Sequence, residues 1–338
     1  MRNRILYLDF IRIFACVMII AMHAPIPYSG LSSYMLSADS LLTTPGVGLF
    51  IMVSGALILP VNMPTSLFLK KRLARILFPT LFWTLFYMIV ALYNLNDADK
   101  IILFEYLLYI PLRPQFNGTF WFIYTLAGLY LLAPILSAWL KQTNKQEIKF
   151  YLFLWGVTLC YPLTRFFVDF VEDYTGMLYY FCGYVGFFLL GYYLYNYIEK
   201  MNVYVCLLLI VFPFVIALGL KITNVAFEFY DLFWFLSIFV AMMTTGWFML
   251  LKKMDKPYSL SSKLHRYVVI VSNCCFGIYL VHIFIMRSII WKWTWLYDMG
   301  IMQIMLVTLM TFIGSFVVTW LISFLPGAQY IIGFKQKR

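Results

Sequence analysis

Residues 8–25 read LDFIRIFACVMIIAMHAP, an apolar run that nevertheless carries Asp9, Arg12 and His23. A helix needs about 20 apolar residues to cross a hydrocarbon core about 30 Å thick, and this run is close to that length. Similar runs recur to the end of the 338-residue chain. Hydrophobic residues make up 64% of it and charged residues 12%, and the mean hydropathy is +0.87, well outside the range of soluble globular domains. A signal peptide competes for residues 1–24, because Arg2 and Arg4 precede the apolar run. Asp9 and Arg12 interrupt its would-be hydrophobic region, and no small-x-small cleavage site follows, so the segment reads as a retained helix. The expected fold is an all-α integral membrane protein forming one polytopic domain over residues 1–338.

Hydropathy and loop punctuation place about ten transmembrane helices, at residues 5–28, 41–61, 75–95, 119–140, 149–168, 177–197, 202–220, 230–251, 269–288 and 302–325. Most of the 25 basic residues fall in alternate short loops, among them Arg4, Lys70, Lys71, Arg72, Arg75, Lys145, Lys200, Lys252, Lys253 and Lys335. The opposite loops hold the acidic Asp39, Asp97, Asp99, Asp169, Glu172 and Asp298. The positive-inside rule then puts both termini in the cytoplasm and accounts for the net charge of +11 without a nucleic-acid partner. All six cysteines lie in expected spans without metal-ligand spacing, which argues against a disulfide framework or a zinc site. Between spans three and four, DADKIILFEYLLYIPLRPQFNGT has an apolar core too short to cross and reads as an external re-entrant or interfacial helix. Gly46, Gly48 and Gly55 in GVGLFIMVSG follow no strand and so make no nucleotide fingerprint; close helix packing is their reading.

Charges inside a span are costly and mark function by default. Asp9 and Arg12 are i,i+3 neighbours able to pair on one helix face. The eleven steps from Arg12 to His23 return to within about 20° of that face, about 16 Å along the axis, so one inward stripe carries both. An imidazole is the usual carrier of a proton near neutral pH, which makes His23 a candidate base; a helix-end or interfacial histidine is the bland alternative. His282, on the ninth helix, lies about 20 Å above its cytoplasmic end, level with His23, and is a second candidate beside the alternative of a core histidine bonded to a carbonyl. His265 reads as solvated. In KKRLARILFP, Lys71, Arg72 and Arg75 stand at the cytoplasmic mouth of the third helix, where the two arginines can offer two guanidinium forks to a polyanion such as cofactor phosphates. Topology and anionic lipid headgroups demand basic residues there too.

These residues resemble the acyltransferase-three family of polytopic membrane acyltransferases, which includes bacterial O-antigen and exopolysaccharide O-acetylases. LDFIRIFACVMIIAMH, GVGLFIMVSGALI, RLAR, TFWFIYTLAGLYLLAP and IYLVH appear in the family's order over most of the chain. Thr119 stands before FWF where the family often has a histidine, and no extracytoplasmic hydrolase-type domain follows the tenth helix, as in stand-alone members. The resemblance implies transfer of an acyl group, usually acetyl, from cytoplasmic acyl-CoA to a hydroxyl of a lipid-linked or cell-surface glycan, with no metal, at the bacterial inner (cytoplasmic) membrane. It implies Arg72 and Arg75 at the CoA phosphates; Lys71, next to them in the basic stretch, is a further cofactor-binding candidate. His23 would be the base, with Arg12 holding the donor or polarising its carbonyl; Asp9, the neighbour of Arg12, and His282, level with His23, are the further catalytic candidates of the residue pattern itself. Trp121 and Tyr124 are candidate sugar contacts, although aromatic residues are 20% of the chain. Partners under this reading are the carbohydrate, membrane lipids and a second copy of the chain. A transporter or flippase for a glycan or lipid-linked sugar, using Arg12 and His23 as substrate contacts, is the alternative; the lack of a recognisable inverted repeat counts against it.

Overall fold

The computed structural model describes residues 4–27, 29–92, 118–164, 176–223, 229–255 and 262–336. Every regular element among them is helical. Helix α1 (Leu6–His23) ends just before Pro25, which has no backbone N–H to continue the ladder. Helix α2 (Ser33–Thr43) starts at Ser32, whose hydroxyl accepts from the Met35 amide. Helix α3 (Pro45–Ile58) follows directly, opening on a proline whose missing N–H is no loss in the first turn. Then come α4 (Thr65–Leu92), α5 (Trp121–Leu140), α6 (Lys145–Leu159) and α7 (Val185–Tyr197). The series closes with α8 (Val203–Ile222), α9 (Ile238–Lys252), α10 (Ser262–Ser288), α11 (Ile301–Ile322) and the short α12 (Ala328–Ile332).

Helices lie on each of the ten expected spans, but seven segments of the described residues are long and apolar enough to cross a membrane. Helices α6, α7 and α9 have 15, 13 and 15 residues, and at 1.5 Å per residue they fall well short of 30 Å. Backbone chemistry interrupts the runs expected at these places. Gly183, at φ +91°, precedes α7, and Ser237 caps α9 after a separate turn at Phe229–Leu232. The expected interfacial segment lies, up to residue 117, outside the described residues. Two helices also start earlier than hydropathy places them: α4 at Thr65 rather than 75, and α10 at Ser262 rather than 269. Lysine, arginine, leucine and alanine are strong helix formers, so the charges lower hydropathy without breaking the helix. Arg72 and Arg75 therefore stand inside α4, not in a loop before it.

Helix α3 is the buried centre and packs on α1, α7 and α9. Its glycines make this approach possible: a Cβ at Gly55 would lie 1.8 Å from the Phe188 carbonyl oxygen of α7, and one at Gly191 of α7 would lie 2.0 Å from that of Met52. Helix α1 also lies along α10, and the two run parallel at constant offset. Arg12 meets Ser272 at 3.1 Å, the Cys16 thiol points to the Cys275 carbonyl at 3.8 Å, and the rings of His23 and His282 stand 5.6 Å apart. Outward faces remain apolar, with Leu77, Phe78 and Leu81 on α4, Leu208 and Val215 on α8, and Met305, Leu309 and Ile313 on α11 all exposed. Surfaces of this kind suit lipid rather than water.

Candidate functional site

At the Arg12 end of α1 a cavity of about 240 Å³ opens between α1, α3, α4, α5 and α10. Three guanidinium groups line it, those of Arg12, Arg72 and Arg75, together with Ser54, Tyr130, Ser272 and Asn273. No carboxylate is in that lining. Among the described residues the ion pairs are Arg4 with Asp9 and Arg12 with Asp9, so neither Arg72 nor Arg75 has an acidic partner. Two unneutralised guanidinium groups on successive turns of α4 are a receptor for an anion, since each fork matches carboxylate or phosphate oxygens.

Asp9 is almost fully buried and holds this end together. Arg4 grips it with two hydrogen bonds, from Nε at 2.6 Å and Nη2 at 3.0 Å, and Ser272 donates to it at 2.5 Å. Arg12 reaches it at only 3.5 Å and donates to Ser272 at 3.1 Å. The expected Asp9–Arg12 pair is thus the weaker half of a network whose main cation is Arg4. A carboxylate forked by one arginine has little pull left for a second, which leaves Arg12 turned into the cavity. Asp9 is not on the cavity wall and acts as an anchor.

The C-terminal segment closes the same cavity. Trp83 Nε1 donates to the Ile331 carbonyl at 2.9 Å, bringing Ile332, Gly333 and Phe334 onto the wall. Gly333 turns with φ +78°, and a Cβ there would sit 2.9 Å from the Arg75 carbonyl, so only glycine serves both geometry and space.

At the His23 end lies a second cavity of about 170 Å³, lined by His23, Ser40, Thr119, Trp121 and Trp234 among others. Phe122 and Tyr279 line both cavities, their rings 5.5 Å apart in an edge-on contact. The Tyr279 hydroxyl donates to the Thr119 carbonyl, which pins the ring between the two cavities. His282 is fully buried behind His23 and lines neither cavity.

Of the sequence candidates, the structure brings Arg12, Arg72 and Arg75 together, and His23 with His282 and Trp121. Lys71 is exposed and stands off the cavity wall, because the position next to Arg72 on a helix points about 100° away. Tyr124 lines neither cavity, being two positions from Phe122 and so on another face of α5; it packs against the core instead. Sequence reasoning missed Arg4, Tyr130, Ser272, Asn273, Trp234 and the C-terminal wall. Tyr130 stands eight residues after Phe122 and four after Leu126, a one-face spacing that points to the same wall. Ser272 and Asn273 are adjacent polar residues inside a span, the kind of anomaly that marks function.

The geometry pairs an anion receptor with an imidazole, a single aromatic pair apart, inside a helical membrane protein. No curated protein and no solved structure matches the chain. The family model described as an acyltransferase domain matches residues 5–322, from just before α1 to the end of α11, and so takes in both cavities apart from the C-terminal wall. With almost the whole chain matched, this protein belongs to the acyltransferase-three family and is a multi-pass membrane acyltransferase.

Proposed function

We propose that the protein moves an acetyl group from cytoplasmic acetyl-CoA to a hydroxyl of a lipid-linked or cell-surface glycan, in the inner membrane of a bacterium, with both termini in the cytoplasm. The observation that carries this reading is the arginine cavity, with no carboxylate on its wall, divided from the His23 cavity along α1 by the Phe122–Tyr279 pair that lines both. Arg72 and Arg75 hold the CoA phosphates, and Arg12 steadies the thioester end of the donor. The acyl-bearing arm passes the Phe122–Tyr279 contact, and the acceptor sugar meets it against Trp121 and Trp234 beside His23. His23 takes the hydroxyl proton, raising the nucleophilicity of the oxygen that attacks the thioester carbonyl. Sugar rings stack readily on indole faces, which suits the two tryptophans in that wall.

The test is purified protein in sealed proteoliposomes, supplied with radiolabelled acetyl-CoA on the face carrying the arginine cavity and with a lipid-linked glycan extract. Wild type labels the glycan, and folded His23→Ala falls by roughly a hundredfold or more, the contribution of a general base. Glycan labelling by His23→Ala at the wild-type rate would refute the assignment.

A further inference from the structure

We infer that His282 is the positioning residue for His23: its buried Nε2 lone pair, unpaired in the structure, is the acceptor to which the adjacent His23 ring turns an N–H, which leaves the other nitrogen of His23 as the free base. The pairing is argued from the adjacency of the two rings, and its use in catalysis rests on the acyl-transfer reading above.

His282 Nδ1 lies 2.6 Å from the Tyr279 carbonyl oxygen. A carbonyl only accepts, so Nδ1 carries the ring proton and Nε2 keeps a lone pair. That Nε2 is buried and has no hydrogen-bond partner. A buried acceptor left unmade costs about 1–3 kcal/mol, and a phenylalanine would fill the same apolar space without that cost. The His23 ring lies beside it: the two ring centroids are 5.6 Å apart and the planes are tilted by 35°, so a turn of the His23 side chain brings a ring nitrogen toward Nε2. His23 closes α1, lines the second cavity, and makes no hydrogen bond among the described residues. One ring therefore offers a lone pair where the other has an N–H to give.

The surroundings hold this arrangement. Constant offset between the parallel α1 and α10 sets the two histidines at the same height, as it sets Arg12 beside Ser272. The Tyr87 hydroxyl donates to the Leu280 carbonyl at 3.0 Å and accepts from the Phe284 amide at 3.1 Å, standing between two groups that a regular helix joins directly. This fixes the turn that carries His282. Tyr279 supplies the carbonyl to His282 while its ring forms the partition between the cavities. A base whose tautomer is chosen by a neighbouring acceptor is ready for its proton, and the wrong tautomer is idle.

In the reaction the acceptor O–H gives its proton to the free nitrogen of His23, and its oxygen forms a bond to the thioester carbonyl carbon. The C–S bond then breaks, sulfur leaves with the electron pair, and the thiolate takes the proton back from His23 to give CoA–SH. His282 accepts the same His23 N–H throughout and undergoes no net change, while the imidazolium formed in between is stabilised by its lone pair.

Two variants separate positioning from packing. His282→Phe keeps an aromatic ring but removes the lone pair; kcat should fall roughly a hundredfold with the acetyl-CoA KM unchanged. His282→Gln restores an acceptor oxygen and should recover kcat to within about tenfold of wild type. Nuclear magnetic resonance of ¹⁵N-histidine-labelled wild type reads the tautomers directly, because the chain has three histidines. His282 should be the Nδ1–H form, and the His23 signals should shift in His282→Phe. A folded His282→Phe with wild-type kcat, a rise in KM in place of a fall in kcat, or His282 found as the Nε2–H form overturns the inference. Coupled histidine signals in a wild type that neither binds nor turns over acetyl-CoA would uphold the bond and overturn the function proposed above.

Discussion

Among the described residues Arg72 and Arg75 form no ion pair with a carboxylate and line a cavity, whereas Lys71 beside them is exposed off its wall. That difference yields a graded expectation for donor binding. A hydrogen bond to a charged group is worth about 1.5–3 kcal/mol, so Arg72→Ala and Arg75→Ala should each weaken CoA binding by roughly tenfold or more. Lys71→Ala and Lys145→Ala should leave it unchanged, and isothermal titration with the purified protein reads all four. Equal small losses in all four would mean that the charges serve only lipid headgroups. Arg4→Ala is a different experiment: it frees Asp9, which then draws Arg12 out of the cavity, so donor affinity should fall although Arg4 is not on the wall.

Among the elements, α3 and α7 depend on carbonyls packed against glycine faces. Gly55→Ala places a methyl group 1.8 Å from a backbone oxygen, which cannot swing aside as a side chain can. Overpacking of this kind costs about 1–3 kcal/mol, and the thermal midpoint in detergent should drop by several degrees. Gly128→Ala in α5, where nothing lies within 4 Å, should be neutral or slightly stabilising. Lys252 of α9 ties the far end of α7 by donating to the carbonyls of Leu194, Tyr195 and Ile198 at 2.9–3.0 Å. A cation at a helix C-terminus satisfies carbonyls that have no partner within the helix, and here it also joins two elements too short to span a membrane alone.

Across the whole molecule, the decisive feature is that two chambers share one wall. Phe122 is almost fully buried between them and stacks edge-on against Tyr279 and near Phe50. Phe122→Ala should merge the chambers, relaxing the limit on the acyl chain that reaches His23. The ratio of butyryl-CoA to acetyl-CoA turnover should rise by about tenfold, the order of discrimination an apolar pocket exerts for a methylene or two. An unchanged ratio in folded protein would mean that chain length is set elsewhere.

Length, apolarity and the positions of charges were sufficient for the all-helical membrane fold and for putting Arg12 and His23 on one inward face, because helical periodicity and the cost of a charge in lipid act locally. The pairing of Arg72 with Arg75 was legible for the same reason, although the helix carrying them begins ten residues before hydropathy suggests. Helix lengths were less legible: hydropathy averages over a window and does not register a glycine turn or a serine cap that ends the hydrogen-bond ladder. The tertiary structure alone decided that Arg4 takes Asp9, that His282 faces His23, that Phe122 and Tyr279 divide the interior, and that the chain returns at Ile332–Phe334 to wall the arginine cavity. Contacts such as Arg12 with Ser272 join residues 260 apart, and their register is a property of the packed bundle that no local pattern encodes.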